Sequence, residues 1–404
     1  MHLVALTEAV DHVCYRYRVR PFEKPLADAG VVVHVQPLAR GPFRRLRQLR
    51  QLRQAAGVLL QRKLLPPWEI ALLRRYARVL IYDVDDAVFQ RDSFQPKSPQ
   101  SSYRRLRFRM TVAAADLVFA GNNYLASHVR RIQRRLHKKD GKSSTAPGLL
   151  LSRRCLTVPT CVDPAKYPVA LHGQKDQHLR LVWIGSSSTL PSLECAAEHL
   201  RAIAKQIPTT VLRVVCDRLP CLGGIALELW PWSEDSEGQA LATADIGIAW
   251  MPPDSWSRGK CGLKVLQYMA AGLPVVANPV GVHLQMVLPG KTGLLAQTPA
   301  EWAESIRQLA ANPSWRNSLG RHARSLVQTS YSPAYWAPVV TSAIVNTLRA
   351  RLGKDAENFP ESKPPLSWPT PWFDDTDPAY HGERCASAGG LTGPSLHSRG
   401  RSLP

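Results

Sequence analysis

Residues 259–277 read Gly-Lys-Cys-Gly-Leu-Lys-Val-Leu-Gln-Tyr-Met-Ala-Ala-Gly-Leu-Pro-Val-Val-Ala. Gly259 to Gly262 read as a loop, Leu263 to Ala271 as a short helix stopped by Gly272, and Val275 to Ala277 as a buried strand after Pro274. A glycine-punctuated turn feeding a helix leaves unpaired backbone N–H groups at the helix start, and these favour an anion. Lys260 adds a full positive charge to a turn that also holds Cys261. On the helix Lys264, Gln267 and Tyr268 fall at i, i+3 and i+4 and share one face, which leaves Leu263, Leu266 and Ala270 for a sheet. The layout suits a phosphate-bearing ligand. An ordinary loop, helix and strand of an α/β domain has the same spacing.

Just upstream, Asp245-Ile246-Gly247-Ile248 reads as a strand, and Asp254, Ser255 and Arg258 lie in the loop that follows it. Leu179 to Ile184 is the first strand of this half. It ends in Gly185-Ser186-Ser187-Ser188-Thr189, whose amides and hydroxyls suit a diphosphate, and Leu193 to Ile207 supplies the next helix. Val211 to Val215 is a further strand and Gln239 to Ala244 a helix. Downstream, Trp302 to Leu309 and Trp315 to Val327 read as helices, and Tyr335 to Leu352 as a terminal one. Beyond Leu352 the chain turns rich in Pro, Gly, Ser and charge, the composition of a disordered tail, with Trp368, Trp372 and Phe373 as an aromatic cluster inside it.

The N-terminal half repeats the alternation. Leu3 to Leu6, Val31 to Val35, Gly57 to Leu60 and Val79 to Tyr82 read as buried strands. Ligands of doubly wound sheets sit beyond the carboxyl ends of such strands. Those ends carry Gln61-Arg62-Lys63, where both cations suit phosphate, and Asp83-Val84-Asp85-Asp86. In extended chain Asp83 and Asp85 point one way and Asp86 the other. Asp-x-Asp is able to hold a divalent cation, orient a hydroxyl or cap the next helix. Arg16, in the basic run after the first strand, is a further candidate for an anionic ligand. From Arg40 to Arg78 eleven Lys or Arg residues face one acid, Glu69. Leu46, Leu49 and Leu52 recur there at helical spacing among arginines, which fits a helix packed on its domain with a basic outer face or one docked on anionic lipid. Arg130 to Arg154 is a second basic tract, with a loop at Ser143 to Gly148.

The 259–277 stretch resembles the donor-binding segment of retaining glycosyltransferases of family 4, which have the GT-B fold. Gly262-Leu263, Met269-Ala270, Gly272 and Pro274-Val275-Val276 match the family segment. Both of its glutamates differ. Gly259 stands at the first, which in the family lies near the donor sugar. Gln267 stands at the second, which accepts hydrogen bonds from the nucleotide ribose; glutamine keeps a carbonyl acceptor and gains donors. The family also places an Arg and a Lys near the loop after the first strand of this half, where this chain has neither, so Lys260 and Lys264 are candidates to replace them. Ala115-Asp116-Leu117-Val118 with the Gly121 turn resembles the last strand unit of the family's first domain. Tyr82-Asp83-Val84-Asp85-Asp86-Ala87 resembles a polysaccharide-associated subset. GT-B enzymes generally need no metal in chemistry, so the resemblance implies hydroxyl-orienting or structural roles for Asp83 and Asp86.

The resemblance implies an α/β protein of two Rossmann-like doubly wound domains facing a cleft: 1–175 for the acceptor, 176–332 for a nucleotide-sugar donor, a crossover helix at 333–352 and a tail at 353–404. It implies transfer of a sugar to a hydroxyl of a glycan, lipid-linked or other acceptor. The nucleotide-sugar is a co-substrate, with no cofactor and no metal. The site set is Asp83, Asp86, Lys260 and Lys264 for catalysis; Gly185, Ser186, Ser187, Arg258, Gly259, Cys261, Gly262, Leu263 and Gln267 for the donor; and Arg16, Arg62 and Lys63 for acceptor or phosphate. A catalytically silent module binding an anionic glycan, lipid or nucleotide is the alternative, kept open by the two replaced glutamates. Charge bears on partners too. With 52 Lys and Arg against 31 Asp and Glu, a net +21, the chain is drawn to anionic membrane, phosphorylated ligands or nucleic acid, and nucleic acid ranks last because no zinc-finger or RNP motif is present. Eight cysteines without Cys-x-x-Cys spacing read as free thiols. No apolar run nears the roughly 18–20 residues of a spanning helix, and the first residues lack a signal-peptide pattern, so the expected location is cytoplasmic, with peripheral contact at the inner face of the plasma membrane.

Overall fold

A computed structural model describes residues 1–139, 154–172 and 178–353. The Ser143–Gly148 loop, residues 173–177 and the aromatic cluster at Trp368, Trp372 and Phe373 lie outside the described residues.

Residues up to 157 supply β1 (His2–Thr7), α1 (Val13–Arg18), α2 (Glu23–Asp28), β2 (Val32–Pro37), α3 (Pro42–Gln51), β3 (Gly57–Gln61), α4 (Pro67–Tyr76), β4 (Leu80–Val84), α5 (Ser102–Ala114), β5 (Leu117–Ala120), α6 (Asn123–Lys139) and β6 (Arg154–Thr157). Residues from 179 supply β7 (Leu179–Ile184), α7 (Leu190–Glu194), α8 (Ala197–Gln206), β8 (Thr210–Cys216), β9 (Ala226–Pro231), α9 (Glu237–Ala242), β10 (Ile246–Ala249), α10 (Leu263–Ala270), β11 (Val275–Ala277), α11 (His283–Met286), β12 (Gly293–Leu295), α12 (Pro299–Ala311), α13 (Pro313–Leu326) and α14 (Pro333–Leu352). The strands form two six-stranded sheets, ordered β2-β1-β3-β4-β5-β6 and β12-β11-β10-β7-β8-β9. All their pairings are parallel, with β1 against β3 placing Leu3 beside Gly57 and β7 against β10 placing Leu181 beside Ile246. Parallel sheets need cover on both faces, which is why β3 and β4 are buried along their whole length.

Each sheet reverses its winding once, between β1 and β3 in the first lobe and between β7 and β10 in the second. A crevice opens beyond the carboxyl ends of strands at such a reversal. In the first lobe those ends lead to Glu8 and to Arg62-Lys63; in the second they lead to Gly185 and to Met251. The lobes are tied together by α14. It follows α13 of the second lobe, yet Val340, Ile344 and Leu348 pack with Leu3, Ile81 and Leu117 in the first-lobe core.

Several elements differ from the sequence reading. The helix expected over Leu193–Ile207 is two, α7 and α8, separated at Cys195 and Ala196. The edge strand β9 lacks a buried alternation and was not anticipated. Tyr268, expected beside Lys264 and Gln267 on a ligand-facing surface, is a core residue: its hydroxyl accepts from the Ile184 amide at 3.0 Å and donates to the Ile248 carbonyl at 3.2 Å. It fits because Gly247 beneath its ring has no Cβ.

Candidate active site

A cavity of about 1060 Å³ lies between the lobes. Gly262 takes the left-handed conformation, φ +68°, and so turns the chain into α10, whose first-turn amides have no intrahelical partner. Lys264 lies in that first turn and lines the cavity. Its ammonium sits 4.2 Å from the centroid of the Trp183 ring, and among the described residues no carboxylate pairs with it. Burial, and then the neighbouring Lys260, lower its pKa to about 7. Lys260 is differently placed, 3.4 Å from Asp86 and over the Trp256 ring.

Across the cleft Arg62 meets Asp86 at 2.5 Å and Asp85 at 4.0 Å. It has φ +59°, unusual for a residue with a side chain. The conformation is held by the Arg62 amide donating to the Asp83 carbonyl and by the Tyr82 hydroxyl donating to the Arg62 carbonyl. Burial works against the charge on Asp85, but Arg62 and then Arg18 hold its carboxyl below the usual range. Lys63 pairs with Glu8 at 2.8 Å. Arg16 pairs with Glu234 at 3.3 Å and lies over the Trp232 ring.

The cavity brings together Arg16, Arg62, Lys63, Asp86, Gly185, Ser186, Lys260, Cys261, Gly262, Leu263, Lys264 and Gln267. Four candidates do not line it. Asp83 is 2% exposed and forms a two-point ion pair with buried Arg18, because β4 carries its side chain into the first-lobe core. A catalytic role for Asp83 is corrected to a structural one. The expected alternation is corrected with it: the strand ends at Val84, and Asp85 and Asp86 both approach Arg62. Ser187 donates its amide to Asp217 at 3.0 Å. Arg258 lines a separate groove with Tyr124, Pro279 and Leu284. Gly259 is buried under the first lobe, where a Cβ would come within 2.5 Å of that of Ala87.

That last contact leaves no room at position 259 for a side chain such as glutamate. The 259–262 loop is clamped from the opposite lobe, with Asn122 Nδ2 donating to the Lys260 carbonyl at 2.9 Å and the Cys261 thiol donating to the Asp85 carbonyl at 3.0 Å. Burial pushes that thiol up, out of the reactive range. Gln267 donates to the hydroxyls of Tyr17, at 3.1 Å, and Tyr167, at 3.3 Å. Both tyrosines donate in turn to Glu237, which also accepts from the Trp232 indole. A carboxylate at 267 would face hydroxyls already committed to Glu237, whereas an amide supplies the donors they need. Sequence reasoning missed Tyr17, Tyr167, Trp232 and Glu237, since four separate segments contribute them and no local spacing marks them.

The sheets, their reversal points, the α14 crossover and the interlobe cleft define the class: this chain has the GT-B fold of glycosyltransferases. Residues 170–312 match the family described as glycosyl transferases group 1. Sucrose-phosphate synthase from Thermosynechococcus elongatus superposes with a TM-score of 0.65 at 17% identity, over 87% of this chain and 100% of that one. Anabaena HepE, solved with UDP and glucose, gives 0.58 at 14% identity, over 86% and 100%. In sequence, D-inositol 3-phosphate glycosyltransferase of Pseudarthrobacter chlorophenolicus is 38% identical over 71 residues, and its namesake in Nocardioides sp. 38% over 60. The first of these alignments covers 17% of this chain and 17% of the relative.

Proposed function

We propose that the chain is a retaining glycosyltransferase of family 4, of the polysaccharide-associated kind, moving a sugar from a nucleotide-sugar to a hydroxyl of a glycan or lipid-linked acceptor. The observation that carries this reading is Lys264: a half-buried lysine with no carboxylate paired to it among the described residues, at the start of α10, in a cleft between two Rossmann-like lobes. Such a group is costly unless a ligand anion completes it. A nucleoside diphosphate does so, with the Gly185–Ser186 turn and the α10 amides as further donors. In the reaction the acceptor oxygen bonds to the anomeric carbon as the bond from that carbon to the diphosphate oxygen breaks, and the acceptor hydroxyl's proton passes to the departing diphosphate. Lys264 and Lys260 stabilise the charge that leaves, and Asp86, held by Arg62 and Lys260, orients the acceptor hydroxyl. The UDP and glucose bound by Anabaena HepE make uridine nucleotides the first donors to try.

An anionic membrane is the partner that the charge pattern favours. Residues 40–78 and 102–139 contain two acids, Glu69 and Asp116, and both are buried against arginines, Arg45 and Arg74. The outer side of α3 to α5 is therefore basic. Leu49 of α3 and Leu52 just after it are buried on the lobe while Phe43 stays 87% exposed, and Trp68 and Tyr103 at the starts of α4 and α5 are also exposed. Arginines beside exposed aromatic rings suit a lipid headgroup surface and a location at the inner face of the plasma membrane. The test is release of nucleoside diphosphate from a panel of nucleotide-sugars, with and without vesicles carrying extracted lipid acceptors. Turnover that depends on acceptor supports the reading; tight donor binding without transfer under any condition means a silent module.

A further inference from the structure

His283 opens α11, directly after the turn from Asn278 to Val282, and is 1% exposed. Its Nδ1 lies 2.9 Å from the Asn278 carbonyl oxygen, so Nδ1 carries the hydrogen and donates it. Asn278 is itself fixed: its side chain accepts from the Met251 amide at 3.0 Å and donates to the Met251 carbonyl at 2.6 Å. The tautomer is thereby set, and the free lone pair is on Nε2. Among the described residues nothing bonds Nε2. The residue lines the interlobe cavity together with Lys264, Gly262 and Met251. Gly262 keeps α11 close, because a Cβ there would come within 2.7 Å of the Met286 sulfur.

A nine-tenths buried ring that lines a ligand cavity, with one nitrogen committed to backbone and the other unbonded among the described residues, presents a defined chemistry. Burial lowers its pKa to about 4, the Asn278 carbonyl opposing and the nearby Lys264 reinforcing the shift. The ring is neutral at physiological pH, and Nε2 only accepts. Phosphate oxygens bring no hydrogen to it. A hydroxyl does.

We infer that His283 reads the transferred sugar: its Nε2 accepts a hydrogen bond from a hydroxyl of the sugar, while Lys264 beside it takes the diphosphate. His283 is in this account a specificity residue, supplying a side-chain acceptor on the donor lobe where position 259 has room for none. The inference rests on the reading of the cleft as a nucleotide-sugar site.

Titration calorimetry tests it with UDP and GDP and their glucose, galactose, mannose and N-acetylglucosamine conjugates, on the full chain and on His283→Leu and His283→Gln. For the conjugate the parent binds most tightly, His283→Leu should weaken binding about tenfold and leave the bare diphosphate within about twofold. His283→Gln, whose side chain retains an acceptor, should recover part of the loss. Deoxyfluoro analogues add an independent arm. One sugar position should weaken the parent when its hydroxyl is replaced by fluorine and have no effect in His283→Leu. Equal weakening of diphosphate and conjugate would assign His283 to the ribose or to packing, and overturn the inference while leaving the cleft's reading intact. Unchanged affinity for both would overturn it as well. If the parent binds none of the nucleotides, the nucleotide-sugar reading itself falls, and this inference with it.

Discussion

Lys264 and Asp83 show how far one side chain's surroundings decide its role. Lys264 has a pKa lowered from 10.5 to about 7 in the folded chain. Between those values the unfolded chain binds more protons, so the unliganded protein gains stability as pH rises through that window. Lys264→Met removes the half-buried amine and should raise the unliganded melting temperature, by roughly 2–4 °C for each kcal/mol of penalty relieved. The same variant should lose diphosphate binding, and in the parent that binding should take up protons at pH 8, measurable by calorimetry in buffers of different ionisation enthalpy. A variant with lower melting temperature and intact binding would show that the ammonium is satisfied structurally. Asp83 behaves in the opposite way. Asp83→Ala leaves Arg18 buried without its counter-charge, at a cost of about 3–5 kcal/mol read from the denaturation midpoint, with activity per folded molecule unchanged. A loss of turnover in fully folded protein would return Asp83 to the catalytic set.

At the scale of elements, the loop 259–262 and the helix after it were legible because local rules govern them. Gly262 must turn, Gly272 must stop the helix and Pro274 must precede the strand. What lay out of reach was set by a partner far away in sequence. Gly259 is small because Ala87 of the other lobe sits on it, and Gln267 is an amide because Tyr17 and Tyr167 demand donors. Whether Asp83 or Asp86 faces the cleft turned on β4 ending at Val84, within the error of any reading of strand ends. His283 gave no signal at all, since a histidine in a one-turn helix has no motif around it. These contacts predict that Gly259→Glu impairs the protein. It should hold the lobes apart and lower kcat at least about tenfold, as misplacement of reacting groups does, while nucleoside affinity persists. Small-angle scattering should detect the opened lobes. A Gly259→Glu variant as compact and active as the parent would contradict the clamped loop.

Across the whole molecule, two parallel sheets, a cleft at their reversal points and a returning helix give a scaffold in which both lobes contribute side chains to one cavity. Fold class was readable from the sequence for this reason: the order of strands and turns is a global pattern that survives changes at single positions. Net charge of +21 was equally visible, but its direction was not, because only the structure reveals that Glu69 and Asp116 are spent in buried pairs. The full chain should sediment with phosphatidylglycerol vesicles and not with phosphatidylcholine, and the binding should weaken between 50 and about 500 mM salt. Phe43→Ser combined with Arg47→Glu should lower that binding about tenfold or more and leave diphosphate affinity unchanged, since each basic residue near an anionic surface is worth about 1 kcal/mol. Equal binding to neutral vesicles, or no effect of the double variant, would remove this face from the account.

The most direct measurement is a thermal-shift panel of UDP, GDP, ADP, CDP and TDP with the matching nucleosides, on the parent and on Lys264→Met. A diphosphate at 100 times its dissociation constant should add about 2.7 kcal/mol to the parent. The account predicts one selective diphosphate response, a weaker response to its nucleoside, and loss of the diphosphate increment in Lys264→Met. No response to any diphosphate, or one that Lys264→Met retains in full, would contradict a donor site built around the start of α10.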